Sequence, residues 1–505
     1  MTTFAPIRQS PHHYAKPARR GTSTRSSFAA SKRLGRELTK RNPRARLSPL
    51  KAKKKHIIVA GAGIQGLSTA IAFQELGYHV TVLESERNLG RGLSWRPKFN
   101  QYGIIHSGAF FPDNKRAWVC DDVYKLLNGD PREDGNVTRI FRRHSIKTGK
   151  LVVARPGHPE DMEKLAQIAE TLTARGVKFK MLATAKELND LGETVVNSKN
   201  TQAAILLEDV RIEHISNCIE DLRKKFEANG GELHFAHKVT DFTIPTEAGK
   251  GNGTGVICDT PRGKTVFRGD AVINCTGTYA GVVAKKAAKA LRTSKKRGLG
   301  AEASPPKNPR FSFSNLYVYV WNGPEDKAPQ AKHLSYFAGN AKITGKGSTV
   351  GAHVYLSMRR KNGFTITIGP FSFPQPIHKV GQREALPLPE LDADMIADMV
   401  AKARVVYPEF DPKDWKLMPA GSTFHAHRRK DDERDCITTV CFDRKTGMYV
   451  VNRLTGDTPG VTASAPLAYE TAREVHERLN ELDFLPSPAT RANQARSQPG
   501  IAYLG

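Results

Sequence analysis

The first 36 residues contain no aspartate or glutamate. No stretch of the chain supplies the roughly 18 uncharged apolar residues that crossing a bilayer takes. No apolar core follows the N-terminal charges either, which excludes a secretory signal. The six cysteines (Cys120, Cys218, Cys258, Cys275, Cys436 and Cys441) include no CxxC pair. Their scatter argues against a disulfide framework or structural zinc and suits a reducing compartment. Internal repeats are missing too. Hydrophobic residues make up 39 % of the chain, enough for a core once the polar ends are set aside. Its 505 residues allow two large domains at roughly 100–200 residues each.

What the chain does have is positive charge, unevenly spread. Of a net +28, residues 1–55 contribute +15 through sixteen Lys/Arg and the single acid Glu37, leaving +13 for the remainder. A segment rich in Arg, Ser, Thr and Pro cannot build a core, so 1–55 reads as a disordered extension. Its composition suits an organelle transit peptide, with a polyanion-binding arm or a plain solvated extension as alternatives. The transit reading predicts a mitochondrial matrix protein; the others leave it cytoplasmic.

The most informative stretch is IIVAGAGIQG at 57–66, followed by HVTVLE, which ends at Glu84. An apolar strand runs into a glycine turn, and the turn opens the helix STAIAFQELG. Gly61 permits the turn, Gly63 lets backbone approach a pyrophosphate, and Gly66 lets the helix pack closely. Glu84 stands 18 residues beyond Gly66, where a ribose-binding acid belongs. Strand, turn, helix and acid together specify a dinucleotide site.

Elements alternate beyond this unit. LVVARP reads as a strand, residues 160–176 and 213–231 as amphipathic helices with glycine stops, and ELHFAHKVTDF as one strand. GVICDT and TVFRGDAVINCTG read as a small hairpin layer that returns to a core strand. Aromatic strands follow a polar loop at 293–310: FSFSNLYVYVW, then STVGAHVYLSMRRKNGFTITIGPFSF. ADMIADMVAKARVVYP is a helix, and the C-terminus repeats strand, turn and helix. This order predicts a nucleotide domain drawn from three separated segments and interrupted by a β-rich second domain.

GIIHSGAFFPDNKRAWVCDDVYKL (103–126) resembles the segment after the first βαβ unit in FAD-dependent oxidoreductases of the D-amino-acid-oxidase superfamily. The nearest group is the L-2-hydroxyglutarate dehydrogenase/oxidase family. LEDVRIEHISNCIEDLRKKFEANGGELHFAHKV, VGAHVYLSMRRKNGFTITIGPFSF and DTPGVTASAPLAYETA resemble further parts of that family, in the same order. Two places depart from it: GRGLSWRPKFNQYG replaces a GxNSG-like run, and GSTFHAHRRK replaces a GxRP-like arginine signature.

The resemblance implies an α/β fold. A Rossmann-like FAD-binding domain would be assembled from 56–110, 205–292 and 416–484. An antiparallel β-rich α+β substrate domain would comprise 111–204 and 311–415, and residues 485–505 would form a tail. The resemblance also implies bound FAD. Its pyrophosphate would meet the turn at Gly61, Gly63, Ile64, Gln65 and Gly66, its ribose Glu84, and its adenine the backbone near Val239. Its flavin side would meet Gly277 and the turn Gly460–Thr462.

Hydride removal from a 2-hydroxy acid needs a base for the O–H proton and a cation for the carboxylate. Histidine suits the base. His106 and His353 match family positions, each with a buried, satisfied histidine as the alternative. Arg428 is the candidate carboxylate anchor, because guanidinium matches carboxylate in a bidentate fork. His425 and His427 alternate along a predicted strand, and HxH alone specifies no metal site.

The leading expectation is an FAD-dependent oxidoreductase acting on a small anionic 2-hydroxy acid. The alternatives are an amino-acid or secondary-amine oxidase and a non-catalytic flavin-fold protein that binds polyanions. Nucleic acid is not the expected partner. The electron acceptor stays open among oxygen, a quinone and a protein.

Overall fold

The run HIIVA forms the strand His56–Ala60, whose residues from Ile57 onward are fully buried. A strand covered on both faces needs an unbroken apolar run instead of alternation, and this one has it. The computed structural model describes residues 55–89, 135–208, 210–212, 215–243, 254–296, 310–331, 333–337, 353–360, 363–375, 391–427, 437–443, 448–454 and 460–484, with Ile105, Cys120, Val123 and Leu127. All lie in one unit, Lys51–Gly505. Most of the basic extension, residues 297–309 of the expected loop, and the tail 485–505 lie outside them.

His56–Ala60 sits inside a six-stranded sheet ordered Ile437–Asp443, Met448–Leu454, Ala271–Asn274, His56–Ala60, His79–Leu83, Glu232–His234. Every neighbouring pair is parallel except the outermost, where Ile437–Asp443 runs antiparallel to Met448–Leu454. Side chains alternate between two cores, as the strand period of two dictates. Ile57, Val59, Val80 and Ile273 join Phe73, Phe141 and Phe226 on one face. Helices Ile64–Glu75, Asn136–His144, Ile215–Ala228 and Gly460–Phe484 contribute to that core. Ile58, Leu83, Val272 and Val450 face the other way. There they meet a three-stranded antiparallel layer (Lys238–Thr243, Thr254–Thr260, Gly263–Gly269) and the helix Ala280–Lys296.

The second sheet has eight strands, ordered Trp415–His427, Arg310–Trp321, Gly363–Gln375, His353–Arg360, Leu334–Phe337, Lys150–Ala154, Ala203–Leu207, Phe179–Leu182. It is antiparallel apart from the parallel junction of Leu334–Phe337 with Lys150–Ala154. Helix Ala393–Val406 lies over one core containing Tyr317, Tyr319, Ile368 and Phe371. Helix Pro159–Arg175 lies over another, formed with Val152, Ala154 and Ile205. This second helix is punctuated as its sequence suggests. Pro159 opens it, Glu160 and Asp161 sit in its first turn, and Gly176 ends it in the left-handed region at φ 67°. Asp161 is buried and accepts from Arg155 Nε at 2.6 Å and from the Arg155 backbone N–H at 3.1 Å, which ties the helix to the strand end.

Several boundaries read from the sequence shift. ELHFAHKVTDF is two strands in two sheets, because Ala236 turns the chain at φ 56° and donates its N–H to the Glu86 carbonyl. The boundary at 416 falls inside Trp415–His427, which pairs along its length with Arg310–Trp321 and so belongs to the eight-stranded sheet. The boundary at 205 likewise cuts the strand Ala203–Leu207 of that sheet. Val123, Val137, Ile140 and Phe141, assigned to the substrate domain, pack in the core beneath the six-stranded sheet. Amphipathicity shows that a helix has a buried face but not which sheet it covers. Here Glu75 links helix Ile64–Glu75 to helix Asn136–His144, accepting the Asn136 N–H at 2.7 Å where the latter starts.

Two half-buried histidines set a pH limit on this fold. Burial pushes the His56 imidazole below its ordinary 6.5, with the neighbouring His79 adding to the effect. Burial lowers His476 as well. The fold favours the neutral form of both, with His56 bonded to Thr81 Oγ1 at 2.8 Å and His476 to the Tyr78 hydroxyl at 2.9 Å. The unfolded chain takes up protons that the folded chain refuses, so stability is full above 6.5 and declines as pH falls below it. Urea midpoints measured at about pH 7.5 and about pH 5.5 should fall less in His56→Gln than in the wild type. Equal losses would reject the assignment.

Candidate functional site

Three pieces of backbone meet at the end of His56–Ala60. Gly61 adopts φ 101° and donates its N–H to the Leu83 carbonyl at 2.7 Å. A Cβ there would lie 2.5 Å from the Cys275 carbonyl oxygen, and one on Gly66 would lie 1.8 Å from the Gly61 carbonyl oxygen. Neither position has room for a side chain. Gly63 differs: it flanks the helix Ile64–Glu75 in an extended conformation, and a Cβ added to it meets nothing within 4 Å. No side chain caps that helix and no acid occupies its first turn. Its N–H groups and dipole are therefore directed at the space beside Gly63, which suits a bound anion.

A second helix start lies alongside. The Gln65 side-chain amide donates to the Ser464 carbonyl at 3.4 Å and to Thr69 Oγ1 at 3.2 Å. It thereby bridges the glycine-turn helix to the first turn of Gly460–Phe484. Gly460 also opens onto space in which a Cβ would meet nothing, whereas Thr462 and Ser464 are buried.

Glu84 closes the site on the far side. One carboxylate oxygen accepts the Ala62 N–H at 2.8 Å, and the other accepts the Glu86 N–H at 2.9 Å and the Ser85 hydroxyl at 3.2 Å. The acid thus rests on the glycine turn. Its backbone is gripped by the next strand, with Glu84 N–H donating to the His234 carbonyl and His237 N–H donating to the Glu84 carbonyl. Val239 follows two residues later in the antiparallel layer, paired with Cys258. Gly277, at φ 58°, begins a short turn just after Cys275, whose N–H donates to the Ala60 carbonyl at 2.8 Å. Burial pushes the Cys275 thiol up to about 12, which leaves it unreactive beside the turn.

The structure therefore brings Gly61, Gly63, Ile64, Gln65, Gly66, Glu84, Gly277, Gly460 and Thr462 around the ends of neighbouring strands. His353 begins a strand of the eight-stranded sheet, opposite Gly369. His425 and His427 fall on Trp415–His427, opposite Ser312 and Arg310. His106 and Arg428 lie outside the described residues, as does the 91–102 run that departs from the family pattern. Two residues escaped the sequence reading altogether. Asn274 and Asn452 end the apolar runs AVIN and YVVN, are fully buried, and join through a 2.9 Å amide hydrogen bond. Their only signal was a polar residue after a buried apolar run. Among the described residues no His/Cys/Asp/Glu group could hold a metal ion, and no helix is long and apolar enough to cross a membrane.

A parallel sheet with a glycine turn, an uncapped helix start and an acid closing the second strand defines a dinucleotide-binding α/β protein. The family model described as FAD dependent oxidoreductase (DAO) matches residues 56–474, and the chain belongs to that family. L-alpha-glycerophosphate oxidase from Mycoplasma pneumoniae, solved with FAD bound, is similar at 16 % identity and a TM-score of 0.59, over 83 % of this chain and 94 % of that one. L-proline dehydrogenase from P. horikoshii is similar at 14 % identity and 0.56, over 84 % and 94 %. Glycine oxidase from Bacillus cereus ATCC 14579 is similar at 14 % identity and 0.56, over 85 % and 98 %. No curated protein sequence matches the chain. At these identities the structural neighbours carry the fold alone.

The protein is an FAD-dependent oxidoreductase, and its residues fit that cofactor. The open faces of Gly63 and Gly460 leave space at two adjacent helix starts, and Glu84 already rests on the turn where a ribose would be met. The two glycines make different predictions. Gly63→Val should fold with an apoprotein thermal midpoint close to wild type yet retain no FAD, since its side chain fills only the space beside the turn. Gly66→Ala should destabilise the apoprotein itself, because its Cβ meets the Gly61 carbonyl. Melting curves with flavin absorbance after purification separate the two. Stoichiometric FAD in Gly63→Val would refute the site.

Proposed function

We propose that the protein oxidises a small 2-hydroxy acid, dicarboxylates of the L-2-hydroxyglutarate kind being the first to test, with hydride passing to FAD. The observation that carries this reading is the pair of histidine-centred stretches, GIIHSG around His106 and VGAHVYLS around His353, which resemble those of the hydroxyglutarate family. The second stretch and GFTITIGP form neighbouring antiparallel strands, with His353 in register with Gly369. The charge of +13 outside residues 1–55 also favours collection of an anionic substrate.

In this reading His106 takes the hydroxyl proton as hydride leaves carbon, His353 lies on the substrate side, and Arg428 binds the carboxylate in a bidentate fork. Bound FAD supplies the hydride acceptor. An amino-acid or secondary-amine substrate is the second reading, because an amine of lowered pKa reacts without a strong base. Similar structures include enzymes named for amine donors, glycine oxidase and L-proline dehydrogenase, and one named for an alcohol, glycerophosphate oxidase. The Arg- and Ser-rich N-terminus supports delivery to the mitochondrial matrix.

Anaerobic mixing with a panel of hydroxy acids and amines, followed by flavin absorbance, tests the proposal. Rapid bleaching by L-2-hydroxyglutarate or a close analogue is expected, and bleaching by amines alone would overturn it in favour of the second reading. His106→Ala should keep its FAD and slow reduction by the hydroxy acid by about 100-fold or more, the usual contribution of a general base. An unchanged single-turnover rate would sink the base assignment.

A further inference from the structure

We propose that Asn274 and Asn452 form a buried amide pair that positions the far wall of the FAD cradle and so sets how tightly the cofactor is held. Asn274 ends its strand and Asn452 lies two residues before the end of the adjacent parallel strand, the two in register and neither exposed to solvent. Asn274 Nδ2 donates to Asn452 Oδ1 at 2.9 Å and to the Ala280 carbonyl at 2.9 Å. Its Oδ1 accepts from Thr276 Oγ1 at 2.7 Å and from the Thr276 N–H at 3.3 Å. A backbone carbonyl only accepts and a backbone N–H only donates, so these two partners fix which end of the amide is which. One side chain thus spans the whole turn from Thr276 to Ala280, including Gly277.

That turn is the wall against which the glycine motif closes. The Cys275 carbonyl and Thr276 Cα stand 2.5 Å and 3.1 Å from where a Gly61 Cβ would be. A shift of the Thr276 turn by even a few tenths of an ångström therefore moves the surface that backs the pyrophosphate loop. The next residue, Arg453, extends the same arrangement to the other wall. It is buried, donates from Nε to Thr471 Oγ1 at 2.5 Å, and is ion-paired with Glu470 and Glu474 of the helix that starts at Gly460. Consecutive residues of one strand thereby hold both the Gly277 turn and the Gly460 helix. Asn274 and Asn452 are positioning residues in this scheme and touch the cofactor through the backbone they hold.

The test uses the full-length protein and FAD itself. Asn452→Leu keeps approximate size and removes the acceptor for Asn274. Asn274→Asp keeps the acceptor toward Thr276 and, when ionised, turns both donated bonds into repulsion. FAD dissociation constants are measured by flavin fluorescence quenching, alongside visible circular dichroism of the bound flavin and melting of the apo and holo forms. Asn452→Leu should weaken FAD about tenfold or more, narrow the gap between apo and holo midpoints, and alter the flavin dichroism. For Asn274→Asp the loss relative to wild type should shrink as pH is lowered, because the protonated acid can donate again. A merely structural pair would lower apo and holo midpoints together and leave FAD affinity within about twofold of wild type and the dichroism unchanged. That result would overturn the proposal. If Asn452→Leu does not fold, Asn274→Asp decides alone, and a loss with no dependence on pH counts against it.

Discussion

Backbone crowding around Gly61 is the constraint on which the rest of the protein depends. Carbonyl oxygens of Gly61 and Cys275 occupy the places where side chains on Gly66 and Gly61 would go. Because nothing bulkier fits, the helix Ile64–Glu75 starts hard against the strand that feeds it, and the Cys275–Tyr279 turn starts hard against both. The uncapped helix start and the open face of Gly63 follow from this geometry. So does the placement of Glu84, whose carboxylate reaches the Ala62 N–H only because the turn is so tight.

Polar side chains acting over long stretches of sequence hold the pieces in place. Asp270 accepts the His56 N–H at 2.7 Å across 214 residues, and Glu75 accepts the Asn136 N–H across 61. Gln65 reaches Ser464 across 399 residues. Each link joins segments that the sequence separates, and those of Asp270 and Gln65 satisfy part-buried backbone groups that would otherwise be costly. Closing such long loops costs entropy that grows only slowly with their length, so a discontinuous domain of this kind is thermodynamically accessible. Its apolar faces contribute the bulk of the stabilisation, and the polar links select which faces meet.

The local chemistry of this site was legible in the sequence because it is local. An apolar run, glycines at fixed spacing and an acid closing the next strand are all consequences of backbone geometry over about 30 residues. The helix Pro159–Arg175 was legible for the same reason, with Gly176 as its stop. Sheet membership was not. ELHFAHKVTDF carries no glycine or proline, and only the left-handed Ala236, braced by Glu86, divides it between two sheets. Strand Trp415–His427 alternates no differently for pairing with Arg310–Trp321 than it would for another neighbour. Asn274 and Asn452 are invisible to periodicity, since their pairing depends on the register of strands 178 residues apart.

The two sheets divide the chemistry, and this explains why the family is evident while the donor is a separate question. The glycine turn, the two adjacent helix starts and Glu84 all stand at strand ends of the six-stranded sheet, where backbone geometry leaves little freedom. The eight-stranded sheet is under no such constraint. Its strands present His353 in register with Gly369, at φ 139°, close to a register shift opposite Tyr317 and Tyr319. An irregularity of that kind re-aims the side chains beside it without disturbing the cofactor fold. Structures of a glycine oxidase and of a glycerophosphate oxidase share this architecture at low identity, so the fold by itself does not name the donor.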